Sequence, residues 1–451
     1  MRSCFARHAW LPSGWATDVR IDIGVDGVIA AVVPHAERVG ELIDRPVVPG
    51  LCDVHSHAFQ RAMAGLAEGS RGTRPTDTFW TWRELMYACV ARLSPDAMED
   101  IATQLYIELL KGGYTSVCEF HYVHNAADGT PYANRAETSE RIIAAAARAH
   151  IGLTLLPVLY MASNFGGRAP HEGQRRFIST PEALLRVLDE MRGKHDVVVG
   201  MAPHSLRAVP PEALNDALQG FARAGGGPLH IHAAEQIKEV DDCVAWSSQR
   251  PVEWLLDHHA VDAQWCIVHA THMTSRETMS LARTGAVAGL CPSTEGNLGD
   301  GVFNFVEYLA SGGAYGIGSD SNVCTRAAEE MRLLEYVQRL THRRRNLASD
   351  NTGSAGEALY RAALAGGARA SGRPIGGIAA GQRADLVVLD AGHATLAARG
   401  VESVLDAYVF SAHGNLVRDV MVGGEWAIRD RRHADEETAA RRYASAVREL
   451  A

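Results

Sequence analysis

His55-Ser-His57 closes the run Arg45-Pro-Val-Val-Pro-Gly-Leu-Cys-Asp-Val54. The run is apolar and β-branched, with Pro49 and Gly50 inside it. It reads as a buried strand, Val47–His55, with a bend near its start. Residues i and i+2 of a strand share a face. His55 and His57 therefore aim at one point, and Ser56 points away. Two neutral imidazoles converging at a strand end suit a borderline metal such as Zn²⁺. The pair alone does not separate a metal site from two histidines hydrogen-bonded in a polar strand end. Further along, His204, His232, Glu235, His269 and Asp320 each stand at or just past the end of another short apolar run. These are the residue types of a zinc hydrolase.

The elements that must position them alternate. Strand runs are expected at Val47–His55, Thr115–Tyr122, Leu153–Tyr160, Val197–His204, Leu229–Ala234, Cys266–Ala270, Ala286–Cys291 and Tyr315–Gly318. Helical segments lie between them, several with Pro at the first turn, such as Pro95–Lys111, Pro181–Arg192, Pro211–Ala224 and Pro251–His258. Eight β/α units imply a parallel sheet closed into a (β/α)₈ barrel. An open doubly wound sheet is the alternative, but it would want a phosphate-binding glycine loop after its first strand. Gly225-Gly-Gly227 precedes a strand, which is the wrong context.

Both chain ends are rich in short strands. Residues 1–46 and 376–433 are expected to form a small β-sandwich domain, 47–375 the barrel, and 434–451 a terminal amphipathic helix.

A barrel exposes its functional groups at the C-terminal ends of its strands, and those ends hold the residues just named. Each has a plainer reading. His230 shares a strand face with His232, which is nearer the end and so the favoured ligand. His272 reads as a solvated loop histidine, Asp320 as a possible helix N-cap beside Ser319 and Ser321, and Glu235 as a surface carboxylate. The set as a whole argues for chemistry.

Composition narrows the classes. The 451 residues carry a net charge of -9, and no basic stripe is visible, so nucleic acid is not an expected partner. His342-Arg-Arg-Arg345 reads as a solvated helix end. The eight cysteines are scattered without a CxxC pair, which fits a reducing compartment. No run has the length of a membrane span and no secretory h-region is present, so a soluble cytoplasmic protein is expected.

His55-x-His57, His232-x-x-Glu235, His269 and Gly318-Ser-Asp320 resemble the signature of the amidohydrolase superfamily, in its deaminase and deiminase branch. The resemblance implies a (β/α)₈ barrel with a β-sandwich built from both chain ends, and Gly381-x-x-Ala384-Asp385-Leu-Val-Val is similar to the return into it. It also favours His232 over His230. Strand four, ending Ala202-Pro-His204, supplies no bridging Lys or Glu. One divalent metal is therefore implied, zinc by default, on His55, His57, His232 and Asp320.

Within the branch, His57-Ala-Phe-Gln-Arg-Ala-Met-Ala-Gly65, Phe79-Trp-Thr-Trp-Arg-Glu-Leu-Met86, Glu119-Phe-His-Tyr-Val-His124 and His204-Ser-Leu-Arg-Ala208 resemble the formimidoylglutamate deiminase family. That likeness implies substrate contacts at Gln60, Arg83, Tyr122, His204 and Arg207, a formimino amino acid as substrate, and a homodimer. Arg83 and Arg207 suit a dianionic substrate on a net acidic protein. Stacking on Trp80 or Trp82, in what reads as an aromatic-rich loop, is the alternative for Arg83, and plain surface exposure the alternative for Arg207. The expected roles are a proton acceptor at Asp320, an orienting group at His269 and a proton shuttle at Glu235. Deamination of a purine or related ring and a catalytically silent metal-binding scaffold are the rival functions.

Overall fold

The computed structural model describes residues 2–69, 77–194, 196–349 and 353–450. The chain opens with β1 (Arg2–Leu11), β2 (Gly14–Ile23), β3 (Ile29–Val33) and β4 (Glu41–Pro49). The parallel strands follow: β5 (Leu51–Ser56), β6 (Tyr114–His121), β7 (Gly152–Leu159), β8 (Val197–Val199), β9 (Ala202–Pro203), β10 (Leu229–Ala233), β11 (Trp265–His269), β12 (Val287–Leu290) and β13 (Ala314–Ile317). The end segment gives β14 (Leu386–Leu389), β15 (Val417–Val422), β16 (Glu425–Arg429) and β17 (Arg432–His433).

The parallel strands form two arcs, β5-β6-β7-β8 and β10-β11-β12-β13, with β9 paired to β7. Single parallel bridges join the arcs, Ser56 to Asp320 at one seam and Met201 to Leu229 and Ser205 to His232 at the other. The sheet thus closes, with β8 and β9 together forming the fourth position of a (β/α)₈ barrel. Every residue of β5, β6, β7, β10 and β11 is buried, as a sheet covered on both faces requires.

Strands from both ends build a separate eight-stranded sheet in the order β17-β16-β15-β14-β4-β1-β2-β3. It has its own core, including Ile21, Ile43, Val47, Leu386 and Met421.

The expected first strand, Val47–His55, is two strands. β4 pairs with β14 in the end sheet, and β5 begins the barrel. Gly50 is the joint. Its N–H donates to Asp385 O at 2.9 Å, and a Cβ there would lie 2.1 Å from Thr115 Cγ2. The end sheet therefore runs to Pro49, past the boundary expected at 46. The fourth strand, expected unbroken as Val197–His204, is interrupted at Gly200, where a Cβ would meet Pro228 O at 2.5 Å.

Helices start where proline and caps place them. Ser94 accepts from Ala97 N at 3.1 Å ahead of Pro95–Lys111, and Thr180 from Ala183 N at 3.2 Å ahead of Pro181–Met191. The aromatic stretch around Arg83, expected as a loop, is the helix Phe79–Arg92. The helix Ala327–His342 ends at the basic run, which is exposed. No helix among the described residues is long and apolar enough to cross a membrane. All eight cysteines are free.

Candidate active site

His55 lies on β5 and His57 just past its end, with their Nε2 atoms 3.2 Å apart. His232 on β10 brings its Nε2 to 3.0 Å from that of His55. Asp320, three residues past β13, places Oδ1 3.4 Å from His57 Nε2 and 3.6 Å from His55 Nε2. All four side chains are buried.

The rings are aimed from behind. His57 Nδ1 lies 2.9 Å from Phe120 O, and His232 Nδ1 2.9 Å from His204 O. A carbonyl can only accept, so each Nδ1 donates and each Nε2 turns a lone pair to the cluster. Burial pushes His57 down to about 3 and holds His55 and His232 well below the usual imidazole range. All three are neutral at pH 7. Their converging lone pairs repel unless a cation accepts them, and three imidazoles with one carboxylate are a fitting donor set for a divalent metal.

His269 ends β11. Its Nε2 lies 3.6 Å from Asp320 Oδ2 and 3.9 Å from Glu235 Oε1, while Nδ1 lies 3.2 Å from Glu295 Oε1. Burial works against its charge, but Glu235, Glu295 and Asp320 outweigh it and push the imidazole up to about 10. Burial raises Asp320 to about 7, with His269 opposing. His269 is thus a cation among carboxylates. Ala234, His269 and Asp320 have φ of 52°, 64° and 51°, left-handed values that non-glycine residues rarely adopt. Backbone strain therefore gathers at the strand ends that carry the polar groups.

Gln60, Arg83, Tyr122, His204 and Arg207 line the same cavity as His57, His232, Glu235, His269 and Asp320, a space of about 580 Å³ with its mouth included. Gln60 Nε2 donates to Tyr122 Oη at 2.8 Å. Arg83 Cζ sits 4.5 Å from the centroid of Trp80, so stacking and cavity lining hold together. Arg207 is buried rather than surface-exposed, and its Nε has no hydrogen-bond partner. His230 lies in the core and donates from Nε2 to Ala370 O at 2.8 Å, while its buried Nδ1 has no hydrogen-bond partner. His272, expected to be solvated, is half-buried and donates to Asp300 O at 2.8 Å.

Two carboxylates escaped the sequence reading. Glu295 sits in the short helix Pro292–Leu298 after β12. Its signal was that the seventh strand alone among the later barrel strands had no polar group assigned. Glu239 lies in the first turn of the helix Ile237–Ser247, which was not expected. A first-turn Glu passes for an ordinary helix-dipole partner.

Residues 47–427 match the model of the amidohydrolase family. Residues 1–40 match "Formimidoylglutamate deiminase HutF, N-terminal domain". The chain is 53% identical to the formimidoylglutamate deiminase of Pseudomonas aeruginosa, over 100% of both chains. It is 30% identical to a 5-methylthioadenosine/S-adenosylhomocysteine deaminase of Natronomonas pharaonis, over 85% of this chain and 82% of that one. Among solved structures, an amidohydrolase from Brucella melitensis superposes with a TM-score of 0.94 at 48% identity, covering 100% of both chains. A zinc-bound adenosine deaminase from Xanthomonas campestris, 22% identical over 99% of this chain and 97% of that one, gives 0.80 and speaks to the fold alone. With its barrel, its strand-end histidines and these matches, the chain belongs to the amidohydrolase family.

Proposed function

We propose that this protein hydrolyses N-formimino-L-glutamate to N-formyl-L-glutamate and ammonia, a step of histidine degradation in the cytoplasm. The observation that carries the reading is the cavity itself, where two guanidiniums share one space with a metal-type cluster. Identity of 53% along the full length of a formimidoylglutamate deiminase supports it.

His55, His57, His232 and Asp320 would hold one divalent ion, zinc by default, which would lower the pKa of water enough to supply a nucleophile at neutral pH. Asp320 accepts the proton of the attacking water. His269 orients that oxygen toward the formimino carbon. As the carbon becomes tetrahedral, Glu235 carries a proton to the nitrogen that departs as ammonia, and the C=O of the formyl group forms. Arg207 and Arg83 pair with the substrate carboxylates in planar, two-pronged geometry. Gln60, Tyr122 and His204 complete the wall that orients the chain between the two ends. The active form is proposed to be a homodimer, which sedimentation would test.

The test is steady-state ammonia release from N-formimino-L-glutamate before and after chelation. Activity lost with the metal and restored with zinc is expected. Ammonia from S-adenosylhomocysteine or adenosine instead would move the assignment to ring deamination. Release from none of these substrates would leave the reading without support.

A further inference from the structure

Glu239 is 1% exposed, and both its oxygens are used. Oε1 accepts from Ala234 N at 3.2 Å, and Oε2 from Glu235 N at 3.1 Å. Oε2 also faces Arg207 Nε at 4.0 Å. One buried carboxylate thus touches the backbone that presents Glu235 and the guanidinium that faces the cavity. Ala234 is left-handed, with φ of 52°, which turns the chain after β10. Without the turn the Glu235 side chain would continue along the strand. Two backbone N–H groups held by one charged acceptor are strong bonds, enough to hold a strained residue. Burial holds Glu239 above the usual carboxylate range, with Arg207 opposing that.

We propose that Glu239 is a positioning residue that ties substrate-carboxylate recognition at Arg207 to the placement of the proton-carrying Glu235. The inference rests on the deiminase reading given above. Glu239 is buried behind the cavity and does not line it. It holds Arg207 by charge on one side and sets the reach of Glu235 on the other. A substrate carboxylate arriving at Arg207 therefore meets a guanidinium already fixed relative to the proton shuttle, a pre-organised span between the two ends of the substrate.

Double-mutant cycles test this. Glu239→Gln puts an amide donor against a backbone N–H and removes the charge facing Arg207. It is expected to lower kcat/KM for N-formimino-L-glutamate by about 10- to 100-fold, at unchanged metal content. On formamidine, which has no carboxylates, the loss should be smaller and confined to kcat. Arg207→Ala removes the charge contact and Glu235→Gln removes the carboxyl being positioned, so in either background Glu239→Gln should cost several-fold less than in wild type. Additive losses in both backgrounds, or equal losses on the two substrates, would overturn the proposal. Should Glu239→Gln fail to fold, Glu239→Asp, which keeps the charge but shortens the reach, carries the same cycles. A wild type that releases no ammonia from N-formimino-L-glutamate would overturn the deiminase reading and this inference with it. An active wild type with additive cycles would overturn this inference alone.

Discussion

Glu235 faces His269 at 3.9 Å and makes no contact with His55, His57 or His232 among the described hydrogen bonds and ion pairs. Glu235→Gln should therefore keep the metal and the fold while losing rate by roughly 10²–10⁴, the worth of a general acid or base. Metal analysis beside kinetics checks both halves, and loss of metal would make Glu235 a ligand. Arg207 makes a different prediction. Removing one partner of a partly desolvated charge pair costs about 2–5 kcal/mol. Arg207→Ala should lower kcat/KM for N-formimino-L-glutamate by roughly 10²-fold or more and leave turnover of formamidine nearly unchanged. Equal damage to both substrates would mean that Arg207 supports the site without reading carboxylates. The histidines, Glu235 and Asp320 were legible in the sequence because a closed parallel barrel gathers its strand ends at one mouth. Glu239 and Glu295 were not, since what distinguishes them is the buried groups they meet, and those come from other elements.

At the scale of elements, the helix Ala355–Ser371 approaches the barrel through two adjacent glycines. A Cβ on Gly366 would lie 1.8 Å from Tyr315 O, and one on Gly367 3.0 Å from Cys52 Cβ. The helix thereby rests on β13 and β5, the two strands at the closing seam. Gly366→Ala forces backbone apart and should cost about 1–3 kcal/mol as overpacking does. The expected outcome is a Tm lower by several degrees, together with reduced activity, because β13 delivers Asp320. An unshifted melting curve would refute the close approach. Alternation of strand and helix was plain in the sequence, since parallel strands buried on both faces are unbroken apolar runs. The joint at Gly50 was hidden for the same reason, as both flanks are buried. The helix Phe79–Arg92 was hidden because only Phe79, Met86, Cys89 and Val90 are buried, too few to mark a helical period.

For the whole molecule, two kinds of cross-link matter. Asp196 stands before β8 and joins barrel to end sheet. Arg383 Nη2 reaches its Oδ2 at 2.7 Å, and Arg373 Nη2 its Oδ1 at 2.8 Å. Burial would raise Asp196, but the two arginines prevail and hold it below its ordinary 3.8. Its contribution to stability is therefore complete above that value and is lost as pH falls through the lower folded value. Asp196→Asn should flatten the acid limb of a Tm–pH profile below about pH 4, with little change in its shape near pH 7. The other cross-link is the proposed metal site, whose candidate ligands lie on both arcs. Purified protein should hold about one metal per chain, by the logic of four ligands and no bridge. Chelation should lower Tm, and added zinc should restore it. Two tightly held ions, both needed for activity, would refute the single-ion site.

The seam between Ser56 and Asp320 has a consequence for biosynthesis. His55 and His57 leave the ribosome early, whereas Asp320 follows more than half a chain later. A nascent chain holds the two histidines long before the carboxylate that completes the donor set exists. The barrel cannot close until its eighth strand emerges, and the end sheet needs residues 386–433 to pair with β4 and with one another. The donor set proposed for the metal is thus complete only once Asp320 has emerged. A product truncated between residues 232 and 320 keeps the three histidines and lacks the carboxylate, so it cannot complete the proposed donor set.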